Sequence, residues 1–263
     1  MTESAGTRND PDRLVATLRA AGCVFAAEEA AILRESVTGP AHLDVLCRRR
    51  VAGEPLEHLV GWVQFAGRRL SVGPGVFIPR QRSELVAAVA IAAAAAVRGP
   101  VVVVEAYCGA APLAATVQEY VPDARVHAVD IDERALAHAR RNLGDRAGVW
   151  CGDGLSALPE VLRGAVTVIA AVPPYVPDDA LDLLPHESAD HEPHRALLGG
   201  TDGLDHVHRL IDEAHDWLAP GGHLAIELNS AQAETVVAPR YRTTVFHDDD
   251  GQTAVLRLTR PVG

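Results

Sequence analysis

Val166-Thr167-Val168-Ile169-Ala170-Ala171-Val172-Pro173-Pro174-Tyr175 is the stretch that decides how the rest of this chain is interpreted. Its apolar start is typical of a buried strand. Two consecutive prolines must end that strand, because they remove two backbone donors and fix two φ angles. The rigid carbonyls and the flat ring of Tyr175 suit a site that grips a small planar group. A strand-ending turn with a packed tyrosine explains the same residues.

The composition excludes several classes of protein. With 263 residues, 48% of them hydrophobic, the chain can form one large domain, or a large domain with a small one. Its net charge of −11 disfavours direct nucleic-acid binding, which needs a basic face. Four scattered cysteines favour a reduced, cytoplasmic setting, and the alanine-rich stretch 86–97 is too short to cross a membrane. We expect a soluble cytoplasmic protein of undetermined oligomeric state.

Three segments follow one another along the chain. Residues 1–56 have helical periodicity, with a predicted N-cap at Asp10, and indicate a small helical N-terminal domain. Residues 57–82 carry the signals of a connecting β-hairpin. Residues 83–263 alternate strands and helices and end in a hairpin around residues 248–251. This order predicts an α/β, Rossmann-like, doubly wound sheet with a reversed C-terminal edge strand.

Apolar runs and helical patterns define the elements of the third segment. Continuous β-branched runs predict strands that are buried on both faces of a parallel sheet. The predicted strands cover residues 101–104, 126–129, 147–151, 166–172 and 223–228. The predicted helices between them cover residues 112–120, 133–143, 155–162 and 205–218.

Three acidic residues lie at the ends of successive predicted strands: Glu105, Asp130 and Asp153. Ligands of such sheets bind outside the carboxyl ends of the strands. An acid about 20 to 25 residues after a glycine loop is well placed to hold ribose hydroxyls, and Asp153 is placed to accept from an exocyclic amine. One such acid alone is explained as a helix cap. Three in register predict a site for a nucleoside-type cofactor.

These motifs resemble, in order, those of a class I S-adenosylmethionine-dependent methyltransferase. More narrowly, the chain is similar to the HemK/PrmC family of protein glutamine N5-methyltransferases. The resemblance covers nearly the whole chain. The motifs that match in the sheet domain are Glu105-x-x-x-Gly109, Val129-Asp130-Ile131-Asp132, Gly152-Asp153 and Pro173-Pro174-Tyr175. The connector Phe77-Ile78-Pro79-Arg80 and segments within residues 191–204 and 218–222 match as well.

The resemblance implies an enzyme that binds S-adenosylmethionine, releases S-adenosylhomocysteine and uses no metal. The implied cofactor-binding residues are Glu105, Tyr107, Cys108, Gly109, Ala110, Ala111, Asp130, Ile131, Asp153, Gly154 and Val172. The implied substrate-binding residues are Val172, Pro173, Pro174, Tyr175 and Arg80, of which Pro173 and Tyr175 are the implied catalytic residues. The implied acceptor is a planar nitrogen on a protein of the release-factor kind, or on a small molecule.

Two regions depart from the family pattern. In the glycine-rich loop, Tyr107 and Ala111 occupy positions where the family has glycine. Side chains at these positions are expected to crowd the cofactor. Tyr107 avoids this if its ring points into the packing of the sheet. In the family's Asn-Pro-Pro-Tyr motif, the first position is asparagine, and in this chain Val172 occupies that position. In family members, that side-chain oxygen and the first proline's carbonyl accept hydrogen bonds from the target amide. Valine cannot accept, so half of this clamp remains.

Three hypotheses stay open. The chain is a methyltransferase acting on a protein glutamine, or a methyltransferase whose acceptor is not a primary amide, with Val172 lining a less polar pocket. The third possibility is a non-catalytic binding protein on the same scaffold. Five histidines between His186 and His208 do not follow the HExxH spacing, and Pro193 prevents the helix that would align two of them. We therefore predict no metal site there.

Overall fold

Residues 11–262 are described by the computed structural model, so the cap predicted at Asp10 lies outside the described residues. The chain begins with four helices: α1 (Pro11–Ala20), α2 (Ala26–Glu35), α3 (Pro40–Val51) and α4 (Leu56–Val60). Leu18, Leu33 and Leu46 are buried in a hydrophobic cluster that belongs to these helices. Because α4 runs across residue 56, the predicted division into 1–56, 57–82 and 83–263 stays a prediction.

The connector is a short antiparallel hairpin of β1 (Trp62–Phe65) and β2 (Arg68–Ser71). Its Phe65 is fully buried against the main core of the protein. A 3₁₀ turn, Gln81–Ser83, then leads into α5 (Glu84–Ala95), which packs its alanines and valines on the central sheet. The connector therefore joins the helical segment to the sheet by packing as well as by sequence.

The central sheet has seven strands in the order β5-β4-β3-β6-β7-β9-β8. The strands are β3 (Val102–Ala106), β4 (Arg125–Asp130), β5 (Gly148–Cys151), β6 (Val166–Ala171), β7 (Leu218–Asn229), β8 (Arg242–His247) and β9 (Thr253–Thr259). The first five are parallel, and β9 is antiparallel to both of its neighbours. The predicted Rossmann-like fold is confirmed. The reversed C-terminal strand is β9, which lies between β7 and the outer strand β8.

Helices cover both faces of this sheet. Besides α5, they are α6 (Pro112–Tyr120), α7 (Glu133–Leu143), α9 (Asp205–Trp217) and α10 (Ser230–Thr235). The short helix α8 (His186–His191) lies in the segment after β6 and buries none of its residues. The predicted bounds of α6 and α7 are confirmed. The helix predicted over 155–162 is wrong: two 3₁₀ turns, Gly154–Ala157 and Glu160–Leu162, replace it. Pro159 has no backbone N–H and forces Leu158 into an extended conformation, with ψ of 151°.

The strand order reverses at β3, since β4 lies on one side of it and β6 on the other. Ligands of doubly wound sheets bind at such a switch point, outside the carboxyl ends of the strands. The loops that follow β3 and β6 begin at residues 107 and 172 and lie at this point. None of the described helices is both long and apolar enough to cross a membrane.

Candidate active site

The loop after β3 has three residues in the left-handed region. The φ angles are 53° at Tyr107, 52° at Gly109 and 60° at Ala111. Only glycine adopts this region freely, and another residue there costs about 1 kcal/mol or more. The Tyr107 ring packs against the core beneath α9 and meets the edge of the His206 ring, with centroids 5.5 Å apart. The loop thus keeps the backbone shape of a glycine-rich loop and carries the strain of two larger residues.

Glu105 connects this loop to the helix that follows it. The side chain is buried and accepts hydrogen bonds from the backbone N–H of Ala114 at 2.6 Å and of Leu113 at 3.3 Å. Burial raises the pKa of Glu105 to about 8, although the two amides favour the charged form. The predicted cofactor residue therefore also fixes the N-terminus of α6 beside the cavity described below.

Asp130 ends β4 and ties it to the glycine loop. One carboxylate oxygen accepts from the backbone N–H of Gly109 and the other from that of Asp132, both at 2.8 Å. Burial is the main influence on the Asp130 carboxyl and raises its pKa. Because each carboxylate oxygen has about two acceptor positions, both oxygens can still accept from a ligand hydroxyl. Ile131 follows with a largely exposed side chain.

Asp153 is held by a residue that the sequence did not indicate. Arg209, on α9, pairs with Asp153 and with Glu213, each at 2.7 Å. Glu213 in turn accepts from the backbone N–H of Leu155 at 2.9 Å. Gly154 has a φ of 67°, which favours glycine, and a side chain there would displace the Glu213 carboxylate, which would lie 2.5 Å from its first carbon. The contact spans 56 residues of sequence, and the only available signal was the regular spacing of polar residues along α9.

These residues surround a first cavity of about 350 Å³. All of the predicted cofactor residues line it except Ala111, which is fully buried beneath the loop. The residues of its wall that were not predicted include Arg195, His206 and Arg209. Arg195 pairs with Asp132 at 2.7 Å, so the cavity is bordered by ion pairs on more than one side.

A second cavity, of about 400 Å³, meets the first at the end of β6. Residues common to the walls of both are Phe77, Val172, Pro174 and Ala196. Pro173, Tyr175 and Arg80 line the second of these two cavities but not the first. The predicted substrate residues are therefore brought together, and Val172 stands between the two spaces.

Tyr175 is fixed by a buried partner on β7. Its hydroxyl donates to Glu227 at 3.0 Å, and Arg82 lies 3.6 Å from the same carboxylate oxygen. Glu227 is fully buried, and burial raises its pKa. Burial also raises the pKa of Tyr175 far above its usual value. Gln232 donates to the Tyr175 carbonyl at 2.9 Å, so ring and backbone are both held in place.

The backbone of the Pro-Pro-Tyr segment is packed closely against the loop that follows α8. A carbon added at Gly199 would lie 2.5 Å from the Pro174 carbonyl oxygen, and one at Gly203 would lie 2.2 Å from that of Tyr175. Among the described residues, no hydrogen-bond donor contacts the Pro173 carbonyl. Pro173, which lines the second cavity, thus has a carbonyl without an intramolecular donor, whereas the Val172 side chain offers only methyl groups.

Arg80, near the C-terminal end of the connector, binds two residues of the segment around α8. It pairs with Glu192 at 2.6 Å and donates to the Ser188 hydroxyl at 3.1 Å. Glu192 also accepts from the backbone N–H of Ile78 at 3.1 Å. The Arg80 side chain therefore joins the connector to the segment around α8, besides lining the second cavity.

Comparisons with known proteins agree with this fold. The fold resembles a solved methyltransferase from Pyrococcus furiosus, with a TM-score of 0.53 and 21% identity over 74% of this chain and 90% of that one. In a search of family models, none matched this chain. The chain is 40% identical over 191 residues to the release factor glutamine methyltransferase of Streptomyces coelicolor, covering 72% of this chain and 67% of the relative.

Two further relatives extend the comparison. The release factor glutamine methyltransferase of Mycolicibacterium smegmatis is 36% identical over 86% of this chain and 81% of its own length. The 4-amino-L-phenylalanine/4-methylamino-L-phenylalanine methyltransferase of Streptomyces pristinaespiralis is 37% identical over 73% and 66%. The sheet topology is that of the class I methyltransferase fold, and the relatives that cover most of the chain are methyltransferases, so the chain is a class I, S-adenosylmethionine-dependent methyltransferase. Within that class, the chain belongs to the HemK/PrmC family of release factor glutamine methyltransferases.

Proposed function

We propose that this enzyme methylates a planar nitrogen held against Val172-Pro173-Pro174-Tyr175, and that the acceptor is the side-chain amide of a glutamine in a cytoplasmic protein of the release-factor kind. The observation that carries the proposal is the meeting of the two cavities at the end of β6. One cavity has the features of a nucleoside site. The other contains the Pro-Pro-Tyr segment that the family uses for its acceptor.

The first cavity fits S-adenosylmethionine. Asp130 keeps acceptor capacity for the ribose hydroxyls, and Asp153 with Gly154 would hold the adenine beside Ile131. At Gly109, a position with no atoms within 4 Å of an added carbon, the backbone is open to a ligand. The cofactor supplies an electrophilic methyl group on a sulfonium when bound.

The acceptor is oriented by the chain itself. An amide nitrogen is a weak nucleophile because its lone pair is delocalised, so its orientation contributes much of the catalysis. The free Pro173 carbonyl accepts one N–H of the acceptor, and the Tyr175 ring, fixed by Glu227, bounds its plane. Val172 leaves the second N–H without a protein acceptor. Loss of one such transition-state hydrogen bond typically costs about 10² to 10³ in rate.

Methyl transfer tests the proposal directly. Purified enzyme is incubated with labelled S-adenosylmethionine and a peptide that contains one glutamine, and the product is located by mass spectrometry. We expect a slow gain of one methyl group on the glutamine side chain. A peptide with asparagine in its place is the matched control, because it has the same amide one methylene closer to the backbone. Equal methylation of both peptides, or of neither, would count against a glutamine acceptor.

A small aromatic amine is the second candidate acceptor, and Val172 is the observation that favours it. The nitrogen of an aromatic amine is also planar, but its ring is apolar and would pack against valine better than a carboxamide would. The relative from Streptomyces pristinaespiralis is named for two such amines. Methylation of 4-amino-L-phenylalanine in preference to the glutamine peptide would establish this candidate over the first. Family membership favours either enzyme over the non-catalytic alternative.

A further inference from the structure

Residues 178–196, which we call the cover segment, leave the body of the protein after β6 and return to it at the same point. Val176 and Leu198, just outside the segment, pair in a parallel bridge. The backbone N–H of Val176 donates to the Leu197 carbonyl at 2.9 Å, and that of Gly199 donates to the Val176 carbonyl at 2.8 Å. The base of the segment is therefore closed by backbone hydrogen bonds.

The cover segment forms part of the wall of both cavities. Its residues at the first cavity are Pro193, Arg195 and Ala196. Its residues at the second cavity are Leu184, Pro185, Glu187, Ser188, Glu192 and Ala196. One segment therefore borders the proposed cofactor site and the proposed acceptor site together.

The cover segment has little apolar packing. Its 3₁₀ turns, Asp178–Leu183 and His194–Ala196, bury none of their residues, and neither does α8. Leu183 is 84% exposed. Across residues 178–196, all of which the structure describes, the one buried side chain is that of Glu192, a carboxylate. Segments with so few buried apolar contacts open at low free-energy cost.

Three arginine–carboxylate pairs hold the cover segment to α3, to the connector and to the loop before α7. The pairs are Arg50–Glu187 at 2.7 Å, Arg80–Glu192 at 2.6 Å and Arg195–Asp132 at 2.7 Å. When such a pair separates into water, both charges recover their hydration, which offsets much of the lost attraction. The segment is therefore held in place by contacts that can be released.

Glu192 favours release of the segment in a second way. Arg80 and the backbone N–H of Ile78 both donate to its Oε1, whereas Oε2 is buried and has no hydrogen-bond partner among the described residues. A buried acceptor without a donor is destabilising. Lifting the segment would expose this oxygen to water and so offset part of the cost of opening.

We propose that the cover segment is a lid, which turns about the Val176–Leu198 bridge and is held closed over both cavities by the three ion pairs. It opens to exchange cofactor and acceptor, and it closes to exclude water during methyl transfer. This inference rests on the proposed placement of the cofactor in the first cavity and the acceptor in the second.

Glu187→Gln tests the lid at a position that does not line the first cavity. The Glu187 side chain is 45% exposed, and the buried Arg50 keeps its pair with Glu29 at 2.6 Å, so the variant should fold. Asp182→Asn is the matched control, because Asp182 is an exposed carboxylate of the same segment with no ion pair among the described residues. Surface plasmon resonance on immobilised enzyme measures the association and dissociation rate constants of S-adenosylhomocysteine.

We expect Glu187→Gln to raise both rate constants by about 2- to 5-fold and to leave Kd within about twofold, because the same pair closes the lid in the free and the bound enzyme. Higher salt should raise both rate constants of the wild-type enzyme and reduce its difference from Glu187→Gln, because salt weakens the ion pairs. Asp182→Asn should match the wild-type enzyme at each salt concentration.

Unchanged rate constants in Glu187→Gln, or the same change in Asp182→Asn, would overturn the lid. A weaker Kd that comes from dissociation alone would also overturn it, because Glu187 would then support the bound state instead of restricting access. The experiment uses no acceptor, so the lid can be confirmed even if the glutamine peptide is not methylated, and only the proposed acceptor would then be wrong. Failure of the folded wild-type enzyme to bind would overturn the cofactor site and the lid together.

Discussion

The loop after β3 and the strand end after β6 have both lost residues that the family pattern has, but with different consequences. In the loop, Tyr107 and Ala111 replace glycines, and the backbone still adopts the left-handed conformation at both positions. At the strand end, Val172 replaces an asparagine, and no conformation of valine supplies a hydrogen-bond acceptor. A glycine contributes conformational freedom, which other residues can imitate at a cost of about 1 kcal/mol. An asparagine contributes a chemical group, which valine cannot.

This difference separates the two halves of the site. Around the first cavity, Asp130 and the loop amides keep the arrangement that a nucleoside requires. Around the second cavity, the acceptor clamp has lost a hydrogen-bond acceptor, because Val172 stands where the family pattern has asparagine. We therefore infer that the site for the methyl donor is retained and that recognition of the acceptor is altered.

The largest effect is expected from Asp130→Ala. This change removes the predicted ribose acceptor and the link between β4 and Gly109, so affinity for S-adenosylhomocysteine should fall by at least about 100-fold. Calorimetry on the folded variant measures it. The control is Asp123→Ala, an exposed carboxylate on the preceding loop, which should bind normally. Unchanged affinity in Asp130→Ala would move the cofactor site elsewhere.

Val172→Asn sharpens the comparison at the strand end. If the acceptor is a glutamine amide, restoring the second hydrogen-bond acceptor should raise methyl transfer to the glutamine peptide by up to about 100-fold. Val172→Ala is the control for side-chain size and should show no such gain. An unchanged or reduced rate in Val172→Asn would favour an aromatic amine as the natural acceptor.

Tyr175→Phe tests the support behind the acceptor site. The change keeps the ring but removes the hydroxyl that donates to the fully buried Glu227. Leaving a buried carboxylate without this donor should lower the free energy of unfolding by about 1 to 3 kcal/mol. Tyr120→Phe, at an exposed tyrosine, should leave stability unchanged. Denaturant unfolding measures both, and equal stability of the two variants would show that Glu227 does not depend on Tyr175.

The smallest effect is expected from Ala111→Gly. Because Ala111 has a φ of 60°, glycine should relieve strain and raise the free energy of unfolding by about 0.5 to 1 kcal/mol. Ala110→Gly is the matched control in the same loop. Ala110 is not in the left-handed region, so glycine there should destabilise the protein. If both changes destabilise, the loop is not strained at Ala111.

Much of the fold followed from local signals in the sequence. Runs such as 101–104 and 166–172 are apolar on both faces, and proline or glycine ends them, so strands and loops at the carboxyl edge were predictable. The predicted helix over 155–162 failed because Pro159 outweighed its apolar spacing. Asp130 and the Pro-Pro-Tyr segment could be predicted as site residues because each motif lies within a few residues, and both line the cavities.

The supporting residues were not predictable in the same way. Arg209 meets Asp153 across 56 residues of sequence, and Glu227 meets Tyr175 across 52. Each looks like an ordinary charged residue in its own segment. Arg80 and Ile78 likewise meet Glu192 across 112 and 114 residues of sequence.

The most direct test of an intact donor site beside an altered acceptor site is calorimetric titration of the wild-type enzyme with S-adenosylhomocysteine. We predict binding in the micromolar range, which would mean that the strained loop from Tyr107 to Ala111 still accepts the cofactor. No detectable binding by folded protein would contradict the account, because the loss of two glycines would then have disabled the donor site as well.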